Sequence, residues 1–306
     1  MDKEQPTSLN HLTTEGRNPD SATLDSLTAI EIVRLMNTQD ASIADAVASV
    51  ADSIAKAVDL IASQFRVGGR LIYMGAGTSG RLGVLDASEC PPTFSTDPKM
   101  VVGLIAGGYS ALTRAIEGAE DYPEFGKRDL MEVELCDRDV LVGIATSGRT
   151  PYVIGGLQYA RHVGASTIGF SCNEQCGLRP HSQIMISPVV GPEIISGSTR
   201  MKAGTATKMV LNMLTTGAMV RIGKTYGNLM VDLKATNEKL IERSGRIVAE
   251  LTGLNPNEAQ SLLASCNHEV KTAIFSHLRR VDPAEARQVL TEASGHLRDA
   301  LEWPER

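Results

Sequence analysis

Five short apolar runs, with helical patterns between them, constrain the fold of this chain more than any other feature of its sequence. Runs that are continuously apolar are typical of strands buried on both faces of a parallel sheet. Right-handed crossovers between such strands build a doubly wound layer. We therefore predict an α/β fold with a five-stranded parallel sheet flanked by helices. The predicted strands are Leu71–Met74, Val101–Ala106, Val140–Ala145, Ser166–Phe170 and Ile184–Val189.

Helical patterns follow a polar N-terminal segment and alternate with these strands. The predicted helices are two within 24–65, then 80–89, 110–119, 151–163, Met201–Ile222 and Asn228–Arg246. Asn255 and Asp282 each precede a proline, as helix N-caps often do, and indicate a C-terminal bundle of three short helices. We expect a polar segment over 1–23, an α/β domain over 24–249 and a small helical bundle over 250–306.

The composition of the chain excludes several classes of partner. A net charge of −6 over 306 residues gives no long-range attraction to nucleic acid or to an anionic membrane. No apolar run approaches the roughly 20 residues of a membrane helix, and the first 21 residues lack the apolar core of a signal peptide. We expect neither nucleic acid nor a membrane as a partner.

The five cysteines are an odd number scattered along the chain, which argues against a disulfide scaffold and indicates a reducing, cytoplasmic location. Cys172 and Cys176, with His181 nearby, could be drawn as a metal site. No second cysteine pair completes the four ligands of a structural zinc site, so we predict no metal.

A glycine-rich turn follows the first predicted strand at Gly75–Gly80, and its candidate ligand-binding residues are Gly77, Thr78 and Ser79. Glycines let the backbone approach an anion, and free N–H groups at a helix start face it. The turn matches the G-x-G-x-x-G spacing, but no acid ends the second strand and no lysine follows in P-loop spacing. A phosphate on a ligand other than a nucleotide is the favoured interpretation.

A second turn of hydroxyls and glycine follows the third strand, and its candidate binding residues are Thr146, Ser147, Gly148, Arg149 and Thr150. Each turn alone is more often a capped helix start than a ligand site. Ligands of parallel sheets bind beyond the carboxyl ends of the strands, so two such turns on one sheet favour a phosphorylated ligand.

A third polar segment precedes the long predicted helix. Ser198 or Thr199 could simply cap that helix, whereas a functional interpretation adds the hydroxyl of Ser198 and the charge of Lys202 to the ligand site.

Three carboxylates complete the set of candidate site residues, as possible acids or bases. Glu89 stands before Pro91 and Pro92, which we expect to end a helix, and Glu117 and Glu120 flank a glycine in EGAED. Two positioned carboxylates can divide acid and base work between them.

The two turns, GAGTSGRL and TSGRTP, resemble the sugar isomerase (SIS) fold, a phosphosugar-binding module. Longer motifs extend the likeness over nearly the whole chain, which resembles the bacterial N-acetylmuramic acid 6-phosphate etherase family, relatives of glucokinase regulatory protein. These motifs are TEGRNP (Thr14–Pro19), LDASECPPTF (Leu85–Phe94), EGAED (Glu117–Asp121), GIATSGRTPYV (Gly143–Val153), GSTRMKAGTATKMVLNML (Gly197–Leu214) and GNLMVD (Gly227–Asp232).

The resemblance implies a lyase that removes the D-lactyl ether from carbon 3 of N-acetylmuramic acid 6-phosphate by elimination and water addition. The products would be N-acetylglucosamine 6-phosphate and D-lactate, in cell-wall recycling and amino sugar catabolism. It further implies no cofactor, a homodimer, Glu89 as proton donor and Glu120, rather than Glu117, as the second catalytic glutamate.

Two other functions stay open on the sequence. One is a non-catalytic phosphosugar sensor, although the chain is acidic and shows no convincing helix-turn-helix. The other is an aldose–ketose isomerase, although none of the six histidines lies in a phosphate motif, so no ring-opening histidine can be placed.

The distance between Ser79 and Glu89 is long for a single-chain site in any of these functions. If 80–89 is a regular helix, a rise of about 1.5 Å per residue puts Glu89 roughly 15 Å along the axis from Ser79. A single hexose phosphate does not easily span this length. The hypothesis is that Glu89 serves a site shared between two subunits, or that the helix breaks early.

Overall fold

The computed structural model describes residues 13–233 and 238–303, except for the side chains of Glu238 and Lys239. These residues form two compact units. The first comprises 13–89 and 98–215, and the second comprises 90–97 and the described residues from 216 onward. The predicted domain boundaries at 23 and 249 stay a prediction.

The first unit contains the predicted five-stranded parallel sheet, in the order β2-β1-β3-β4-β5. Gly75 pairs with both Ile105 and Ile144, so the first three strands end at the same level. The turns after β1 and β3 therefore meet at one edge of the sheet. The strands are β1 (Leu71–Gly75), β2 (Val101–Ile105), β3 (Val140–Ile144), β4 (Ser166–Phe170) and β5 (Ile184–Ile186).

Side chains from β1, β3 and β4 form the buried centre of this unit, where Tyr73, Tyr152 and Phe170 are fully buried. The last strand is shorter than predicted: it ends at Ile186, two residues before Pro188, which cannot donate to a ladder. The helices of this unit, some of which continue beyond it, are α1 (Ala29–Asp40), α2 (Ile43–Ala48), α3 (Ala51–Arg66), α4 (Gly77–Phe94), α5 (Pro123–Glu132), α6 (Pro151–His162) and α7 (Lys202–Arg221).

Several helix predictions were wrong in detail. The region 24–65 holds three α-helices rather than two, and 110–119 holds only a 3₁₀ turn over Tyr109–Leu112. The prolines do not end α4 at Glu89, since the helix continues through Pro91 and Pro92 to Phe94. They occupy its last turns, where two missing N–H donors interrupt only two backbone bonds.

The second unit contains a two-stranded hairpin of β6 (Thr225–Tyr226) and β7 (Leu229–Met230), where the sequence predicted a helix from Asn228. Gly227, at a φ of +56°, forms the turn. Residues 234–237 of that predicted helix lie outside the described residues. Its helices are α8 (Glu238–Thr252), α9 (Pro256–Ser265), α10 (Val270–Arg279), α11 (Pro283–Glu292) and α12 (Leu297–Glu302).

Four short helices follow α8 rather than the three predicted, but both predicted N-caps are confirmed. Asn255 Oδ1 accepts from the N–H groups of Asn257 and Glu258 at 3.0 Å. Asp282 Oδ1 accepts from those of Ala284 and Glu285 at 2.8 and 2.9 Å. Among the described residues, no helix has the length and apolar character to cross a membrane.

Candidate active site

The first turn connects β1 directly to α4. Gly75 and Gly80 are in close contact, because a Cβ on Gly80 would lie 2.6 Å from the Gly75 carbonyl oxygen. Gly77 has a φ of +52° and faces open space, with no heavy atom within 4 Å of where its Cβ would be. The N–H groups of Gly77, Thr78 and Ser79 make no hydrogen bond to any described residue, so they are available to an anion.

The second turn follows β3 and is held by hydrogen bonds from residues 171–173. The buried carbonyl of Thr146 accepts from Cys172 N at 2.9 Å, Ser171 Oγ at 3.1 Å and Asn173 Nδ2 at 2.9 Å. Gly148 has a φ of +72°, and a side chain there would collide with Cys176.

Beyond Gly148 the turn exposes groups suited to an anion. The Nη1 atom of Arg149 is buried and makes no hydrogen bond to the described residues. Ser147 and Thr150 are half-buried beside it. A guanidinium nitrogen without an acceptor, next to two hydroxyls, is the donor set that a phosphate uses.

The third segment leads into α7, which begins at Lys202, and the sequence missed the residue that caps it. Glu193 is fully buried and accepts from the N–H groups of Lys202 and Ala203 at 3.0 Å each. The capping role considered for Ser198 or Thr199 is therefore wrong. The helix start lies beside the first turn, because a Cβ on Gly204 would lie 3.7 Å from Thr78 Cγ2.

The ammonium group of Lys202 is engaged in an internal network. It donates to Gln39 Oε1 at 3.1 Å, and the same oxygen accepts from Asn18 Nδ2 at 2.9 Å. Burial of this group lowers the pKa of Lys202. Whether Lys202 also binds a ligand stays a prediction.

The TEGRNP motif, left without a role by the sequence, lies across these elements. Asn173 joins it to the second turn, since its Oδ1 accepts from Thr13 Oγ1 at 2.9 Å and its Nδ2 donates to Thr14 Oγ1 at 3.1 Å. Ser196 Oγ donates to the Gly16 carbonyl at 3.1 Å. We call residues 13–18 the N-terminal strap, because they connect the second turn, the third segment and Lys202.

Glu120 lies between the two turns. It lines a cavity of about 320 Å³ with Gly77 of the first turn and Arg81 of α4. Its carbonyl accepts from the N–H of Tyr152 at 3.0 Å, at the start of the helix that follows the second turn. Glu120 is exposed, but partial desolvation, reinforced by the carboxylate of Asp121, raises the pKa of its carboxyl group.

Glu89 is not brought to this cavity. It is exposed on α4 and is not among the described residues that line the space around Glu120. Because α4 is one uninterrupted helix from Gly77 to Phe94, the early break considered from the sequence is wrong. The separation of roughly 15 Å from Ser79 along the axis therefore stands.

Asp86, one turn before Glu89, is a second residue whose role the sequence missed. It is buried and accepts from Tyr73 Oη at 2.9 Å, Asn212 Nδ2 at 2.7 Å and Thr215 Oγ1 at 3.3 Å. Its burial raises the pKa of its carboxyl group. These contacts fix α4 against β1 and α7 in the first unit.

All five cysteines are free thiols. Across 13–233 and 238–303, no group of three or more histidine, cysteine or carboxylate side chains has the arrangement of a metal site. The chemistry available around the two turns is therefore that of hydroxyls, backbone amides, Arg149 and Glu120.

Proteins of known name resemble this chain closely. The sequence profile of the glucokinase regulatory protein N-terminal SIS domain matches residues 53–161. A protein of Rhodopirellula baltica named N-acetylmuramic acid 6-phosphate etherase is 67% identical, over 97% of this chain and 98% of its own length. Proteins with that activity in their names from Brucella anthropi and Vibrio cholerae are 56% and 53% identical, each over 96% of this chain and over 95% and 98% of their own lengths.

Proposed function

The chain belongs to the N-acetylmuramic acid 6-phosphate etherase family, and from this membership we propose that it removes the lactyl group of N-acetylmuramic acid 6-phosphate with Glu89 and Glu120 as its acid and base. The products are N-acetylglucosamine 6-phosphate and D-lactate. The enzyme acts in the cytoplasm, in cell-wall recycling and amino sugar catabolism.

The reaction needs a proton removed from carbon 2 of the open-chain sugar, where the aldehyde makes that proton acidic. The C3–O bond then breaks and D-lactate leaves with the ether oxygen, taking a proton from an acid. Water adds to carbon 3 of the unsaturated aldehyde, and carbon 2 regains a proton. Each general acid or base step contributes typically about 10²–10⁴-fold to the rate.

The observation that carries the proposal is the position of Glu120. Glu120 lines one cavity with the open N–H turn at Gly77, so a sugar whose phosphate is bound at that turn has an acid or base within reach. The phosphate is bound by Gly77, Thr78, Ser79 and the Thr146–Thr150 turn. The binding energy of the phosphate holds the open-chain sugar in a reactive pose. Such orientation can contribute a large part of the rate enhancement.

Glu89 takes part as the proton donor of a second subunit's site. The uninterrupted α4 supports this arrangement, because one hexose phosphate does not span the distance between Ser79 and Glu89 of the same chain. The working enzyme is accordingly a homodimer with shared active sites.

Lactate release by Glu89→Gln and Glu120→Gln tests these roles. With N-acetylmuramic acid 6-phosphate as substrate, we expect each variant to lose about 10²–10⁴-fold in kcat, since each lacks a proton-transfer group. Glu124→Gln, an exposed glutamate in the first turn of α5, is the matched control and should turn over normally. Near-normal turnover by both test variants would refute the assignment of Glu89 and Glu120 as acid and base.

Isotopes distinguish the reaction from its alternatives. In H₂¹⁸O the lactate hydroxyl oxygen should stay unlabelled, because the C3–O bond is the one that breaks. In D₂O deuterium should enter carbon 2, because that carbon regains a proton after water addition. A ketose phosphate as product would indicate an isomerase. Tight binding of the sugar phosphate with no product would indicate a sensor.

A further inference from the structure

The segment that carries Glu120 is a wall with open space on both sides. We call residues 107–121 the Glu120 loop. On one face lies the 320 Å³ cavity shared with Gly77, and on the other a groove of about 800 Å³ between β2 and α5. Residues 116–119 line both spaces. A wall of this kind lacks the close packing on two faces that fixes a core element, so its position depends on specific tethers.

Packing and backbone contacts hold the two ends of the loop. At the start, a Cβ on Gly107 would lie 3.1 Å from Ile116 Cδ1, which shows how closely the loop folds back on itself. At the end, the carbonyl of Glu120 accepts from the N–H of Tyr152 at 3.0 Å. The middle of the loop is exposed from Thr113 to Glu117.

The guanidinium group of Arg81 tethers the loop between Ala111 and Arg114. Arg81 Nε donates to the Leu112 carbonyl at 3.0 Å, and Nη2 donates to the Ala111 carbonyl at 2.7 Å and to the Arg114 carbonyl at 3.3 Å. Arg81 belongs to the first turns of α4, directly after the glycine-rich turn. It therefore joins the turn that would hold the phosphate to the loop that would supply the acid or base.

We propose that Arg81 is a positioning residue for Glu120, which it serves by holding the Glu120 loop at a fixed distance from the first turn. The role rests on the proposed catalytic role of Glu120. A misplacement of about 1 Å costs on the order of 10²-fold in rate when a catalytic group must meet its substrate in one geometry. Without the tether, the loop is free to move toward the groove of about 800 Å³ behind it.

Arg81→Lys is the informative substitution. It keeps the positive charge but replaces a fork of five donors with one ammonium group, which cannot reach three carbonyls in the same geometry. The other charged groups around Glu120, which are Arg114, Glu117 and Asp121, are left in place. We expect kcat for lactate release to fall about 10–100-fold while KM stays within about threefold.

Arg279→Lys is the matched control, because Arg279 also clamps backbone carbonyls, at Leu301 and Trp303 in the second unit. It should leave kcat unchanged. A double variant, Arg81→Lys with Glu120→Gln, separates positioning from general damage. If Arg81 acts through Glu120, the double variant has the kcat of Glu120→Gln alone, whereas a further loss of more than about threefold overturns the proposal.

Hydrogen exchange supplies a readout independent of catalysis. The N–H groups of Ala111 and Arg114 bond within the loop, to the carbonyls of Gly108 and Ser110. In Arg81→Lys these amides should exchange about tenfold faster, with β1 and β3 unchanged. Unchanged loop exchange, or equally faster exchange in the strands, overturns the proposal. Normal turnover by Glu120→Gln would instead refute the catalytic assignment, and the exchange result would still decide whether Arg81 tethers the loop.

Discussion

At the scale of single residues, the first unit depends on a few buried polar groups whose partners lie far away in sequence. Arg70 and Asp139 form the clearest pair: Nη2 lies 2.6 Å from Oδ2, and Asp139 is 1% exposed. Burial would raise the pKa of Asp139, but hydrogen bonds from Arg70 and from the Cys136 N–H outweigh it and lower that pKa. The ion pair closes the amino ends of β1 and β3, where Arg70 N also donates to Asp139 Oδ1.

The pair predicts a defined pH dependence of stability. A carboxylate with a lowered folded pKa contributes stability above its unfolded value, near 4, and loses it as the pH falls through the folded value. We expect Asp139→Asn to reduce the free energy of unfolding by about 2 kcal/mol at pH 7, because a half-buried Arg70 loses its counter-charge. The difference from wild type should shrink progressively as the pH falls below about 4, the unfolded value.

Urea unfolding of wild type and Asp139→Asn, at pH 7 and below about pH 4, measures the difference in free energy of unfolding at each pH. A difference that stays constant with pH would contradict the assignment, since it would mean that the Asp139 carboxylate is not held charged in the folded state.

At the scale of elements, the sheet is what the sequence predicts well and the polar connections are what it does not. Each strand is a local run of apolar residues, and a local pattern is enough to find it. Asn173, Gln39 and Glu193 carry no such pattern. Asn173 and Gln39 each join a partner more than 150 residues away, and Glu193 caps a helix that starts nine residues on. Of the helix predicted over Asn228–Arg246, the part from Glu238 is confirmed, whereas its start belongs to a hairpin around Gly227, because tertiary context overrode the local helical pattern.

The contacts between Asn173 and the N-terminal strap predict that a substitution at Asn173 weakens substrate binding, although Asn173 touches no ligand in the proposal. Asn173→Ala removes the side-chain bonds to Thr13, Thr14 and the Thr146 carbonyl. We expect KM for the sugar phosphate to rise about tenfold with a smaller change in kcat, because the second turn loses its support while Glu120 is untouched.

Asn255→Ala is the control matched for stability. It removes the N-cap of α9 in the second unit and should cost about 1 kcal/mol with no effect on KM. Equal KM values for the two variants would show that the strap does not support the binding site. Isothermal titration with N-acetylglucosamine 6-phosphate gives the affinity directly.

At the scale of the whole molecule, the separation of Glu89 from the Glu120 cavity decides what one chain can do. The sequence predicted this separation from the rise of a regular helix and left open only an early break of that helix, which the uninterrupted α4 excludes. If the proposed sharing holds, each active site takes Glu89 from one chain and Glu120 from another, and a lone chain is inactive.

Mixing two inactive variants tests this sharing. Glu89→Gln and Glu120→Gln, unfolded together and refolded in equal amounts, should recover about a quarter of wild-type activity. Half of the random dimers are mixed, and each mixed dimer has one intact site of two. Recovery to no more than the sum of the separate variants would show that both glutamates act within one chain.

The buried carboxylate of Glu193 has an electrostatic consequence for the two turns and for the third segment, which leads into α7. A helix start carries about half a positive charge, and at α7 this resident anion already neutralises it. At α6, Pro151 brings no N–H and the Tyr152 N–H is spent on the Glu120 carbonyl. Of these three helix starts, α4 is the one whose first N–H groups have no acceptor among the described residues. In the proposed reaction, the phosphate dianion is therefore attracted most strongly to the start of α4, and this attraction orients the sugar before any side chain touches the ring.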